Sequence, residues 1–301
     1  MNSTRHRRPW HRAVLLVAVS ILAGAATPIS ALEQSETVTR TFTLTAVGGQ
    51  RTLVIDNVNG AIDIEAVAGD RVELLLRQTF VARDAAAMAR ARQEVTLEVT
   101  EEPGRLELVQ GGPWRCHGRD HHRDGDCCCD HDEREDRRYD VRFDWTLKVP
   151  RTLDLAVDNV NEGAIRITGT TGNLTVDHVN DDITLVRVAG AVEAQTVNGE
   201  LKVEFAALPA GDCQFGTVNG DIDLAFPKGL GAELSFATMN GEVYTDFPFE
   251  MAKIRPTSTR SKSGGRQHHE VGGRTAATIG GGGIGLACQT INGDITIRER
   301  S

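Results

Sequence analysis

One arrangement of apolar and polar positions recurs seven times along the chain. Each copy centres on an asparagine with an apolar residue before it and, usually, a glycine after it: Asn59, Asn161, Asn180, Asn198, Asn219, Asn240 and Asn292. Counted from that asparagine, positions −6, −4, −1, +3 and +5 are apolar, which gives the form LxVxxVNGxIxI. In the second copy Glu162 is an insertion, so Ile165 and Ile167 take the last two places. Of these thirty-five sites only Thr245 is not apolar, where chance at this composition gives about fourteen. Alternation with period two on both sides of a turn dipeptide predicts two short strands per copy.

The turn could close a hairpin or form a corner, and side-chain facing separates the two. In a two-residue hairpin the residues flanking Asn-Gly pair on one face. Here an apolar residue would then face Asp221, Glu242 or Asp294, putting carboxylates in the core. A corner avoids this. Between Asn161 and Asn240 the spacings are 19, 18, 21 and 21 residues, a period typical of stacked repeats. The expected fold is all-β: a parallel β-solenoid (β-helix) with rungs of about 18–21 residues, each pairing with its neighbours. The seven asparagines are then structural corners, stacking as amide ladders do. Each rung is expected to bury about five apolar side chains, worth roughly 1.5–3 kcal/mol apiece. Stacked in chain order, the Asn240 rung would lie between those of Asn219 and Asn292.

The remaining segments read more simply. Residues 32–110 form an N-terminal β-rich part continuous with the solenoid. It has strands over Thr37–Ala46, Arg51–Val67 and Arg71–Phe80, a short helix over Ala82–Arg92, and a hairpin of Val95–Thr100 with Leu106–Val109. Residues 111–139 are an excursion rich in Cys, His, Asp and Arg. Asp140–Pro150 leads into the repeats of 140–301, which a Gly/Ser/Arg-rich loop at 249–285 interrupts.

The Asn-Gly corners, the strand ending in Val149-Pro150, and the run Thr278-Ile279-Gly280-Gly281-Gly282-Gly283 ahead of Thr290-Ile291-Asn292-Gly293-Asp294-Ile295 resemble the DUF4097 family. Its members are bacterial β-strand-repeat proteins often labelled "putative adhesin". The resemblance covers most of the chain after the leader, best from Asp140 to Arg298. It implies a repeat fold and an adhesin-like role, and brings no catalytic residues or cofactor.

Residues 1–31 read as a signal peptide. Arg5, Arg7, Arg8 and Arg12 precede an apolar run from Ala13 to Ala26, and Ile29-Ser30-Ala31 offers a cleavage site. That run is shorter than the roughly 20 residues of a membrane span, and no later segment is apolar enough to be one. Cleavage leaves 29 basic against 42 acidic residues, moving the net charge from −9 to −13. Such a surface repels nucleic acid and anionic lipid. It suits a periplasmic, secreted or cell-surface protein.

Candidate chemistry is concentrated in the excursion. Cys116, His117, His121, His122, Cys127, Cys128, Cys129 and His131 supply sulfur and imidazole donors for a transition metal. Their spacing matches no zinc motif, and a calcium loop from Asp120 fails because His122 and His131 fall where oxygen ligands belong. One or two disulfides among these cysteines, in an oxidising compartment, are the plainer reading. Cys213 and Cys288 occupy core positions and behave as small hydrophobes; two rungs apart, they are expected to stay unbonded. Asp158 and Asp177, with Asp56 at the same phase, face outward as turn formers, as a calcium row, or as the acid and base of a sugar-cleaving solenoid. No nucleophile–base pair accompanies them, so no catalytic residue is assigned. Three functions follow in order: a non-catalytic envelope scaffold or binding module for an envelope protein or glycan, a periplasmic metal-binding or metal-sensing protein, and a polysaccharide-acting enzyme.

Overall fold

The computed structural model describes residues 31–44, 49, 51–115, 138–251, 260–263, 266–269 and 275–300. The first part holds β1 (Leu32–Thr43), β2 (Thr52–Asp56), β3 (Ile62–Val67), β4 (Arg71–Ala82), α1 (Ala85–Glu94), β5 (Thr96–Glu102), β6 (Arg105–Gly111) and β7 (Tyr139–Pro150). Short strands follow: β8 (Asp154–Asn159), β9 (Ile165–Thr168), β10 (Leu174–His178), β11 (Ile183–Val188), β12 (Val192–Gln195), β13 (Leu201–Phe205), β14 (Cys213–Gly216), β15 (Ile222–Phe226), β16 (Ala232–Ala237) and β17 (Val243–Thr245). The last group is β18 (Phe249–Met251), β19 (Arg260–Ser263), β20 (Arg266–His269), β21 (Thr275–Ile279), β22 (Ile284–Gln289) and β23 (Ile295–Glu299).

Two large mixed sheets contain all of these strands except the β19–β20 pair. One runs β1-β4-β7-β3-β9-β11-β13-β15-β23-β17, the other β18-β21-β16-β22-β14-β12-β10-β8-β2-β6-β5. At each of the seven asparagines the chain crosses from the second sheet to the first, as from β10 to β11. Equivalent strands pair in parallel with the apolar positions in register, Leu174 opposite both Leu155 and Val192, for example. Positions −6, −4, +3 and +5 face inward; Leu53, Ile55, Ile62 and Ile64 have no exposed surface. Strands this short are stable because both ladder edges and the inner face are covered by the next copy. Phe205 and Phe226 stack with ring centres 4.6 Å apart inside the core.

At the N-terminal end the sheets change character. The first continues antiparallel through β7, β4 and β1, the second through the β6–β5 hairpin. Helix α1, N-capped by Asp84 whose Oδ1 accepts from the Ala87 amide at 2.8 Å, packs Ala87, Met88 and Ala91 into the core beside β4 and β7.

The stacking order departs from chain order. Strand β22 pairs with β14 on one side and β16 on the other, and β23 lies between β15 and β17. The last copy is therefore inserted between the two before it, and the Asn240 copy is outermost. The span expected to loop out supplies the route. After β17 the chain forms β18 and then β21, which pairs antiparallel with the far edge of β16. Gly280–Gly283 then carry it across the start of β16 to the other edge, with φ of 59°, 83°, 90° and 156°. A Cβ on Gly280 would lie 2.3 Å from the Leu230 oxygen, and one on Gly231 would lie 2.5 Å from the Gly282 oxygen. Only residues without side chains can make that crossing.

The expected burial of position −1 is also corrected. Val160, Val197, Ile291 and Met239 are 42%, 38%, 36% and 78% exposed, and Val58, Val179 and Val218 are half-buried. The strand alternation carries through the corner. Position −2 therefore points inward, and −1 points out.

Candidate functional site

The corner joining the two sheets is built from three columns of residues. On its outside, the side-chain amide of Asn198 donates to Asn180 at 3.0 Å, Asn219 to Asn198 at 2.8 Å, Asn292 to Asn219 at 2.7 Å, and Asn240 to Asn292 at 2.7 Å. The amide ladder starts at Asn180, which donates to the Val160 carbonyl instead. The Glu162 insertion in the preceding copy breaks the repeat there. Glycine follows because adjacent copies touch: a Cβ on Gly220 would lie 1.9 Å from the Gly199 oxygen.

Inside the corner sits a polar column that apolar periodicity did not reveal. Its members at position −2 are Asn57, Asn159, His178, Thr196, Thr217, Thr290 and Thr238, and all but Thr238 are fully buried. The hydroxyls of Thr217, Thr290 and Thr238 each donate, at 3.1 Å, to the corner glycine carbonyl of a neighbouring copy. Asn57 donates to Asn159 at 3.1 Å, and Asn159 to the Gly163 carbonyl at 2.8 Å. These bonds satisfy the backbone groups that a turn would otherwise leave buried and unpaired. The signal was present in the sequence, since all seven residues can form hydrogen bonds. At the end of the stack Gln110 performs the same task, its Oε1 accepting from the Val58 and Asn59 amides. Burial holds the His178 imidazole below its usual pKa, which favours its neutral form in this column.

The third column, position −1, forms an exposed ridge. Five of its six steps are tied by backbone bonds: the carbonyls of Val58, Val179, Val197, Val218 and Ile291 accept from the following asparagine backbone amides in the stack, and that of Val160 from the Asn180 side chain. In spatial order the ridge reads Val58, Val160, Val179, Val197, Val218, Ile291, Met239. With copies about 4.8 Å apart, it runs roughly 29 Å. Along the second sheet it borders a groove of about 480 Å³, whose floor includes Gln195, Gln214, Gly216 and Gln289 and whose end reaches Asp177.

Beyond that end the same outward row continues in carboxylates. Asp177, Asp158 and Asp56 are consecutive register partners. Asp56 accepts two bonds from the Arg115 guanidinium, one of 2.8 Å, and Arg115 Nε donates to the Gln110 carbonyl at 2.8 Å. Among the described residues, no cation forms a hydrogen bond or ion pair with Asp158. Partial desolvation by the surrounding fold, followed by the charges of Asp177 and Asp56, pushes its pKa up to about 6, with Arg115 working the other way. Asp177 is raised as well, by burial and then by Glu193. Among the described residues, no three His, Cys, Asp or Glu side chains are placed to share a metal ion.

Cys116, His117, His121, His122, Cys127, Cys128, Cys129 and His131 lie outside the described residues. The structure therefore brings together the aspartate row and the asparagine ladder, and adds Arg115, the inner polar column and the ridge. Arg115 belongs to no repeat, so nothing in its sequence context marked it as a partner for Asp56. Cys213 and Cys288 are buried and unbonded. They lie on neighbouring strands rather than two steps apart, with Cys213 opposite Leu286 and Cys288 opposite Phe215. No helix among the described residues is long and apolar enough to cross a membrane.

No protein-family model matches the chain, and no curated protein matches it. Among solved structures, a "putative cell adhesion protein" from Clostridium sporogenes is similar at 11% identity and a TM-score of 0.41, over 89% of this chain and 100% of that one. A "putative adhesin" from Bacteroides fragilis matches at 11% identity and a TM-score of 0.33, over 88% and 97%. A "putative lipid binding protein" from Parabacteroides distasonis matches at 11% identity and a TM-score of 0.26, also over 88% and 97%. Likenesses this distant assign no function to the chain.

Proposed function

We propose that this chain is a non-catalytic, adhesin-like binding module of the bacterial cell envelope, with the corner ridge and its groove as the contact surface. In this reading the two sheets are the walls of a β-solenoid of the DUF4097 type. The module is exported with removal of residues 1–31. The observation that carries the proposal is the ridge itself: seven outward positions, all apolar, in one unbroken column. Neither strand propensity nor core packing requires apolar side chains there, and contiguous exposed apolar surface marks interaction sites.

The flanks favour a linear glycan as occupant. Amides line the ridge on both sides, the asparagine ladder on one and Gln195, Gln214 and Gln289 on the other. A sugar chain presents C–H faces to apolar ridges and hydroxyls to amides. Cell-wall polysaccharide from the producing organism is the probe, with its envelope proteins run in parallel. Val197→Lys together with Ile291→Lys should weaken polysaccharide binding at least about tenfold while the far-ultraviolet circular dichroism stays unchanged. Unaltered binding with the fold intact would remove the ridge from the contact surface. Binding only in the protein fraction would replace the glycan by a protein partner.

A further inference from the structure

We infer that β1 is a pairing edge for a second copy of this chain, joined antiparallel about a two-fold axis through Val38. Free sheet edges are normally guarded by shortness, by charge or by proline. Among the described residues, three of the four outer edges of the two large sheets follow that rule. Strands β17 and β18 have three residues each, and β5 carries Glu98, Glu101 and Glu102 in seven. Strand β1 does not. It is twelve residues long and pairs with β4 along its whole length. It has no proline or lysine, and among the described residues nothing pairs with its other side. Its outward row, Ser35, Thr37, Thr39, Thr41 and Thr43 after Glu33, consists mostly of residues that favour strands.

Self-pairing restricts the register. A two-fold axis perpendicular to the sheet keeps each face continuous across the joint, so residues facing each other must point to the same side. The core-side row is Gln34, Glu36, Val38, Arg40 and Phe42; Phe42 is buried, Val38 packs on the core, and Glu36 pairs with Arg92 of α1. An axis at Glu36 or Arg40 would place that residue against its own copy, like charge on like. An axis at Thr37 or Thr39 leaves both charges facing neutral residues. Only the axis at Val38 sets Glu36 opposite Arg40 of the second copy and Arg40 opposite its Glu36, with Thr37 against Thr39. Directly opposed charge pairs of this kind stabilise a strand pair, and like pairs destabilise it. The closed two-fold arrangement also consumes the edge, leaving none for open-ended growth.

Sedimentation equilibrium on the purified chain tests this, with amide hydrogen exchange across β1. A dimer is expected, with the β1 amides slowed as it forms. Arg40→Glu alone and Glu36→Arg alone should each raise the dimer dissociation constant at least about tenfold, since each creates two like-charge pairs. Mixed one to one, the two variants face each other with every pair complementary and should recover the dimer as a heterodimer. Matching circular dichroism and thermal midpoints separate loss of pairing from loss of folding. A monomer at all concentrations overturns the inference, whether the β1 amides exchange quickly or are protected by another part of the same chain. So does a dimer indifferent to both substitutions, or a mixture that stays monomeric.

Discussion

Asn292 donates its side-chain amide to Asn219 across 2.7 Å, although 73 residues separate them in the chain. The same side chain accepts from Asn240 at 2.7 Å. The inserted copy thus joins two copies that chain order alone would have made neighbours. Asn292→Ala removes two of the ladder's bonds and Asn240→Ala, at the outer end, removes one. With a net value of about 1 kcal/mol per bond, Asn292→Ala should cost about 1–3 kcal/mol, roughly twice the loss at Asn240. Urea unfolding of the two variants measures the ratio.

The glycine after the corner asparagine is the stricter requirement. Gly220→Ala places a methyl group 1.9 Å from the backbone oxygen of Gly199, and backbone atoms on both sides must move. A loss of about 2 kcal/mol or more is expected from such overpacking. Gly216→Ala, on the adjoining strand, meets only the Gln195 Cγ at 3.6 Å. It should change stability by less than about 0.5 kcal/mol, through restriction of the unfolded chain. Equal losses at the two sites in thermal or urea unfolding would contradict the close approach of neighbouring copies.

These relationships divide what the sequence could reveal from what it could not. Period, strand pairs and corner residues were legible because each copy repeats one local solution to packing. The neighbour of each copy was not, because near-identical copies fit one another in several orders. The order follows from one irregular element, the Gly280–Gly283 crossing over Leu230 and Gly231. Exposure at position −1 was hidden for a related reason. Apolarity at Val197 or Met239 does not say on which side of the sheet the residue stands. The hydrogen-bonding residue at −2 does, because Thr196 and its equivalents take the inward place beside the corner carbonyls.

The aspartate row gives a pH dependence of defined sign. Unfolded, Asp158 titrates near 3.8, and in the fold near 6. Between those values the folded chain binds more protons than the unfolded one. Stability therefore falls as pH rises through that window, and above it the ionised carboxylate opposes folding. Asp158→Asn should raise the urea midpoint relative to the parent chain at pH 7.5, and the advantage should disappear at or below about pH 4. Asp158 is exposed to solvent, so the gain is small. An advantage that grows on acidification would reverse the assignment.

The two core thiols provide the last test, because their environment fixes both reactivity and pairing. Cys213 and Cys288 are 3% and 2% exposed, and burial pushes the pKa of both thiols up, leaving little thiolate to react. They share the inward face on adjacent strands, but each faces a different partner, Leu286 for Cys213 and Phe215 for Cys288. Both are therefore expected to remain unmodified by a thiol-specific alkylating reagent in the native chain and to react fully in denaturant, as read by mass spectrometry of the two peptides. Cys288→Ser should cost about 1–3 kcal/mol, the penalty for burying a hydroxyl among apolar neighbours without a partner. Cys288→Ala should cost less than Cys288→Ser. Rapid native alkylation of Cys288, or a Cys213–Cys288 bridge in peptides mapped without reduction, would be incompatible with this register.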